Sequence, residues 1–98
     1  MLDLEPNMRF SMIKIWADEA WEDFLYWTDK DKKTLKRIIA IIKDIDRNGN
    51  QGIGKPEKLK GDLSGYWSRR IDKENRIVYR IEDGKIIFLQ CGSHYRDK

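Results

Sequence analysis

Glu57, Arg70, Arg76 and His94 are side chains of the types that cleavage of an RNA phosphodiester requires. The ribose 2′-OH is a weak nucleophile that must lose a proton while it attacks the neighbouring phosphorus in line, and a carboxylate or an imidazole can take that proton. The departing 5′-oxygen must gain one, which an imidazolium can give. Charge spread over the phosphoryl oxygens needs guanidinium or ammonium donors. Glu57, His94 and the cations Arg76, Arg70 and Lys60 cover those three tasks. Each has a plainer alternative. Glu57 sits beside Lys55 and Lys58 and could be half of a surface ion pair worth under about 1 kcal/mol. His94, four residues from the last position, could be an exposed tail residue. Arg69 and Arg70 point to opposite faces of a strand, so at most one of them joins a site. Residue type and spacing alone describe a polyanion binder.

Charge distribution agrees with that description. The chain of 98 residues has a formal net charge of +3, but residues 1–29 sum to −5 and residues 30–60 to +6. A basic middle suits a partner such as RNA, although a run of lysines on a helix is also what a solvated face looks like. A single cysteine, Cys91, excludes an internal disulfide and suits a reducing cytoplasm. One Cys and one His fall short of zinc's usual ligand set, so no metal or other cofactor is expected. MLDLEPNMRFSM has no apolar core of a secretory signal, and no segment approaches the roughly 20 apolar residues of a membrane span. The length fits one domain. Residues 1–11 lack periodicity and read as an extension, 12–95 as the domain, and 96–98 as a tail.

The elements that must position these groups follow from periodicity. MIKIW (12–16) alternates as a short strand, and Asp18 can cap a first helix carrying Ala20, Trp21, Phe24, Leu25 and Tyr26 or Trp27 at three- and four-residue spacing. The pattern breaks at 28–30. Asp29 or Asp31 can cap a second helix with Leu35, Ile38, Ile39, Ile42 and Ile45 on one stripe and Lys32, Lys33, Lys36, Arg37, Lys43 and Arg47 on its wet face. NGNQGIG (48–54) is turn chemistry. Residues 66–71, 76–81 and 85–91 are short runs rich in β-branched and aromatic residues and read as three antiparallel strands, joined by DKEN (72–75) and by the hairpin signal Asp83-Gly84. The fold class is therefore α+β, two layers, with two N-terminal helices on one face of a mainly antiparallel sheet. Trp16, Trp21, Trp27, Tyr66, Trp67 and Tyr79 read as core rather than as base-stacking platforms. An ideal two-residue hairpin pairs Arg76 with Cys91, which turns His94 away from the Arg76 face unless the chain leaves strand geometry after Gly92.

Taken together, IKIWADEAWEDFLYW, KKTLKRI, GIGKPEKLKGDLSGYWSRRI, ENRIVYRI and SHY resemble the YoeB/Txe branch of the RelE-type toxins, from about Met12 to Tyr95. The resemblance implies a twisted RelE-like sheet and a ribosome-dependent mRNA interferase: a toxin of a type II toxin-antitoxin system that enters the ribosomal A site, cuts the mRNA and so inhibits translation. It implies an endoribonuclease leaving a 2′,3′-cyclic phosphate and a 5′-hydroxyl without a metal. Carried onto this sequence, the general base falls on Glu57, the phosphate-stabilising arginine on Arg76 and the general acid on His94. Tyr95 falls on the tyrosine that helps order the site, and Lys60 and Arg70 on residues that hold the RNA backbone. The implied partners are a YefM-like antitoxin with an acidic disordered tail, the ribosome with its message, a second copy in a homodimer, and operator DNA reached only through the antitoxin as co-repressor. This chain departs from the pattern in continuing Arg96-Asp97-Lys98 past the tyrosine, in Gly92-Ser93 ahead of His94, in Gly49-Asn50 after the second helix and in Lys58 in place of a common proline. A different class within the same superfold, a non-catalytic ParE-like toxin acting on DNA gyrase, is the alternative.

Overall fold

A computed structural model of the chain describes residues 11–93. His94, Tyr95, the 96–98 tail and all but the last residue of the 1–11 extension lie outside the described residues. Helix α1 (Asp18–Lys30) and helix α2 (Lys32–Asn48) follow strand β1 (Ile13–Trp16), and Asp31 alone separates them. The Asp31 carboxylate accepts hydrogen bonds from the Lys33 and Thr34 amides, so a single residue both ends α1 and starts α2. α1 thus runs through residues 28–30, where the sequence pattern had broken. Ala17 is its N-cap, without a side-chain bond; the expected cap, Asp18, is instead its first residue. Gly49, at φ +67°, ends α2 in a backbone region that other residues rarely enter.

The sheet has five strands in the order β1-β5-β4-β3-β2, where β2 is Glu57–Lys58, β3 Trp67–Arg70, β4 Arg76–Glu82 and β5 Lys85–Gly92. The three expected strands form its centre as an antiparallel meander. Two additions frame them: β1 runs parallel to β5, and β2 pairs antiparallel with β3. The helices cover one face, where Ile38, Ile41 and Ile45 of α2 and Ala20 of α1 join Ile77, Tyr79, Ile86, Phe88 and Cys91 in one buried cluster. Ile41 takes the place that the sequence stripe gave to Ile39, which is 38% exposed. Trp16, Trp27 and Trp67 pack against that cluster and Tyr79 belongs to it, as expected of core aromatics. Trp21 is a correction, being 44% exposed at the rim, with its ring edge-on to Trp16.

The β4–β5 register carries the second correction. Val78 pairs with Gln90 but Tyr79 with Phe88, so Leu89 is an extra residue in β5 and Arg76 lies opposite Gly92 instead of Cys91. Phe88 and Cys91, three apart, both reach the core because of this bulge.

Candidate active site

β2 is only two residues long, and Pro56 before it cannot donate to a ladder, so no sequence period announces it. Its register is nonetheless fixed: Glu57 lies opposite Ser68 and Lys58 opposite Trp67, and the Leu59 amide donates to the Tyr66 carbonyl at 2.9 Å. Glu57 is therefore part of the sheet, at its edge, rather than ahead of it. Upstream, the Arg70 amide donates to the Gly54 carbonyl at 2.7 Å, and the Gly54 Cα comes so close to β3 that a Cβ there would stand 3.1 Å from the Arg70 oxygen. Backbone contacts on both sides thus hold Glu57, whose side chain is 60% exposed.

Glu57, Ser68, Arg70 and Arg76 share the sheet face turned away from the helices. Ser68 lies opposite Glu57 and Val78, and Arg70 directly opposite Arg76. The Arg76 Nη1 donates to Ser68 Oγ at 3.2 Å and reaches Glu57 Oε1 at 3.4 Å. The second contact is long for a charge-assisted hydrogen bond, and Arg76 is 35% exposed, so a ligand oxygen can displace it. Like charges directly across a ladder oppose the pairing, and an anion between Arg70 and Arg76 would relieve them. Arg76 leaves a turn shaped by Asp72, which accepts from the Glu74 and Asn75 amides at 2.8 Å each. Burial works to raise the Asp72 pKa, but the Asn75 side chain and the two amides outweigh it and hold the carboxyl below its ordinary value. An open groove of about 780 Å³ flanks the site, lined by Tyr26, Trp27, the 73–76 turn and Ser93. Lys60 is exposed ahead of the short 3₁₀ turn Gly61–Leu63 and is bound to none of Glu57, Arg70 or Arg76 among the described residues.

Arg69 faces the opposite way, as strand alternation requires. It is fully buried beneath α2 and the 49–54 loop. Its guanidinium pairs with Asp44 and donates to the carbonyls of Gly49 (2.5 Å), Gln51 (2.9 Å) and Ile53 (3.0 Å), while Nε donates to the Tyr79 hydroxyl at 3.2 Å. Burial pushes the Tyr79 phenol up, partly offset by Arg69. For Asp44, burial acts upward too, yet hydrogen bonds from Arg69, the Ile53 amide and Asn48, with the Arg69 charge, leave it below the usual carboxylate value. A Cβ on Gly52 would collide with the Asp44 carboxylate.

At the far end of β5, β1 pairs only as far as Phe88, so Cys91 has no strand neighbour on that side. Side chains of α1 take over: buried Asp23 accepts from the Cys91 amide at 2.9 Å, and Trp27 Nε1 donates to the Cys91 carbonyl at 2.8 Å. The Leu89 bulge puts Gly92, not Cys91, opposite Arg76, so the ideal hairpin register expected from the sequence does not hold at the end of β5. No group of three or more His, Cys, Asp or Glu fit for a metal ion occurs among the described residues. Ser68, Asp23, Asp44 and Asp72 were not singled out from the sequence. Asp23 left a trace there as an acid among the apolar positions of α1, and Asp72 as the first residue of the DKEN turn.

A two-helix layer on this five-stranded sheet is the RelE-like α+β fold, shared with YafQ of Escherichia coli at a TM-score of 0.72 and 13% identity, a likeness of fold alone. Residues 16–95 match the model of the YoeB-like toxin of bacterial type II toxin-antitoxin systems, and the chain belongs to that family. It is similar to toxin YoeB of E. coli K12 (48% identity over 81 residues, 83% of this chain and 96% of that one) and to toxin RelK of Mycobacterium tuberculosis (54% over 77 residues, 79% and 91%). Among solved structures, it resembles YoeB in the heterotetrameric YoeB–YefM toxin-antitoxin complex of Staphylococcus aureus (TM-score 0.82, 47% identity, 86% of this chain and 98% of that one). The S. aureus YoeB dimer gives a TM-score of 0.80 at 46% identity, over 87% and 99%. Among the described residues, no helix is long and apolar enough to cross a membrane.

Proposed function

We propose that this toxin is an endoribonuclease that cuts mRNA in the ribosomal A site and thereby stops translation in the cytoplasm. The observation that carries the reading is the Glu57–Arg76 pair: a carboxylate and a guanidinium 3.4 Å apart at the exposed edge of the sheet face turned away from the helices, with a third charge, Arg70, across the ladder. Glu57 takes the 2′-OH proton as O2′ bonds to phosphorus. The P–O5′ bond breaks with its electron pair on O5′, which receives a proton from His94, leaving a 2′,3′-cyclic phosphate and a 5′-hydroxyl. Arg76 releases Glu57 to meet the phosphoryl oxygens, where charge builds in the transition state. Arg70 and Lys60 hold neighbouring phosphates, and Tyr95 orders His94. The balance closes on side chains alone.

By analogy with the S. aureus assemblies, a YefM-like antitoxin restrains the toxin and a second copy completes a homodimer. With that antitoxin the chain acts as co-repressor and touches operator DNA only through it. The test is cleavage of a message on programmed ribosomes, compared with the same RNA free in solution. Cutting on ribosomes is expected, along with a fall of about 10²–10⁴ in rate for His94→Ala at unchanged thermal stability. Inhibition of DNA gyrase with the message intact would overturn the reading.

A further inference from the structure

Beyond Lys33, which the Asp31 cap attracts, the outer face of α2 is left without close carboxylate partners by the way the helix's own acids are used. Lys33, Lys36, Lys43 and Arg47 recur at intervals of three, seven and four residues along the crest opposite the buried Ile38, Ile41 and Ile45, with Lys32 beside them, and all five are exposed. The helix's two acids, Asp44 and Asp46, flank that crest on either side, and both are drawn inward. Asp44 pairs with Arg69; Asp46 pairs with Lys14 and accepts from the Met12 amide at 2.8 Å. None of the five cations meets a carboxylate within 4.0 Å among the described residues. The acids that could form i, i+3 pairs with the crest, Asp46 with Lys43 and Asp44 with Arg47, are thus committed elsewhere. The crest from Lys33 to Arg47 is a cationic rod about 21 Å long at 1.5 Å rise per residue.

We propose that this crest is a second RNA-docking surface, which grips the phosphate backbone of folded ribosomal RNA while the opposite side of the molecule works on the message. The proposal rests on the ribosome-dependent reading above. Since α2 packs against the sheet face opposite Glu57 and Arg76, RNA on the crest lies on the far side of the molecule from the reacting phosphate. An acidic protein segment fits less well, because protein interfaces anchor on apolar and aromatic side chains. The crest offers only Ile39 and Ala40, whereas Ile13, Ile15, Trp21 and Leu25 are exposed on β1 and α1. The apolar side of α2 is buried in the core, which leaves only Ile39 and Ala40 to meet a lipid surface.

The test replaces Lys33, Lys36, Lys43 and Arg47 together by Gln in the full chain, beside a Lys→Arg triple variant that keeps the charge. Ribosome binding by sedimentation and message cleavage are both measured over a series of KCl concentrations. Each phosphate contact adds about 0.7–0.9 to the slope of log K against log [salt], so the Gln variant should lose about 3 from that slope. It should need about tenfold more ribosomes for half-maximal cleavage at physiological salt, with the rate at saturation within twofold of wild type. The Lys→Arg variant should behave as wild type. An unchanged salt slope with wild-type cleavage intact would sink the docking surface and leave the nuclease reading standing. Wild-type ribosome binding that weakens in the Gln variant, without any message cleavage, would do the reverse. Loss of antitoxin binding by the Gln variant with ribosome binding intact would give the surface to a protein partner and overturn the proposal.

Discussion

Arg69 and Arg70 are adjacent in sequence and identical in chemistry, and the two faces of β3 treat them in opposite ways. Beneath the helices, Arg69 meets Asp44, Tyr79 and three loop carbonyls and has no exposed surface. On the face turned away from the helices, Arg70 is exposed at the rim opposite another cation, and Arg76 holds Glu57 by one long contact. Saturated hydrogen bonding makes a residue structural, because every alternative partner is worse. A sparse set of half-satisfied charges leaves partners to be supplied from outside. The difference lies in packing, since the chain brings the same side chain to both faces.

The comparison can be broken at several points. Glu57→Gln should lower ribosomal cleavage by about 10²–10⁴, the scale of a lost general base, while urea unfolding stays within about 0.5 kcal/mol of wild type. A comparable loss of stability would move Glu57 into the structural class. Arg69→Met does the opposite: it strands the Asp44 carboxylate and should cost about 3–5 kcal/mol in urea unfolding. Gly52→Ala pushes a methyl into the same pair from the loop side, at a φ of +136°, and should cost about 1–3 kcal/mol by the same assay. A near-neutral result would show that the loop yields without disturbing Arg69.

Acid offers a milder probe of the buried face. The Asp44 pKa is lowered on folding, so its stabilisation is fully present above the unfolded value of about 3.9 and is lost as pH falls through the lower folded value. Asp44→Asn should be less stable than wild type at pH 7 and should show a shallower fall in stability below about pH 4. Parallel pH profiles for the two proteins would assign acid sensitivity to other carboxylates.

Much of this contrast was legible before any coordinates. Two-residue alternation separated Arg69 from Arg70, Asp29 or Asp31 marked the start of α2, where Asp31 is the cap, and Asp83-Gly84 marked the β4–β5 hairpin. Long-range pairing was not legible. The Leu89 bulge leaves no local signal, because it is imposed by the need to seat both Phe88 and Cys91 in the core, and it shifted Arg76 from Cys91 to Gly92. β2 is two charged residues recruited by β3, and the parallel placement of β1 depends on a crossover through both helices. Ile41 displaced Ile39 because the buried face of α2 is centred by its contact with the sheet, a matter of helix rotation to which neighbouring isoleucines are indifferent in sequence. The proposed site was visible as residue types. The 72–75 turn was visible as DKEN, but the Ser68 contact and the Asp72 hydrogen bonds that set Arg76 in place were not.

The clamp that Asp23 and Trp27 close on Cys91 also reaches into sulfur chemistry. The thiol is 1% exposed, and burial pushes its pKa up to about 12, so at neutral pH almost no thiolate is available to an oxidant or an alkylating reagent. As the chain's sole sulfhydryl it is a built-in reporter. A chromogenic disulfide reagent should react with the native protein at the rate at which the end of β5 opens, and at the full rate of a free cysteine once urea has unfolded it.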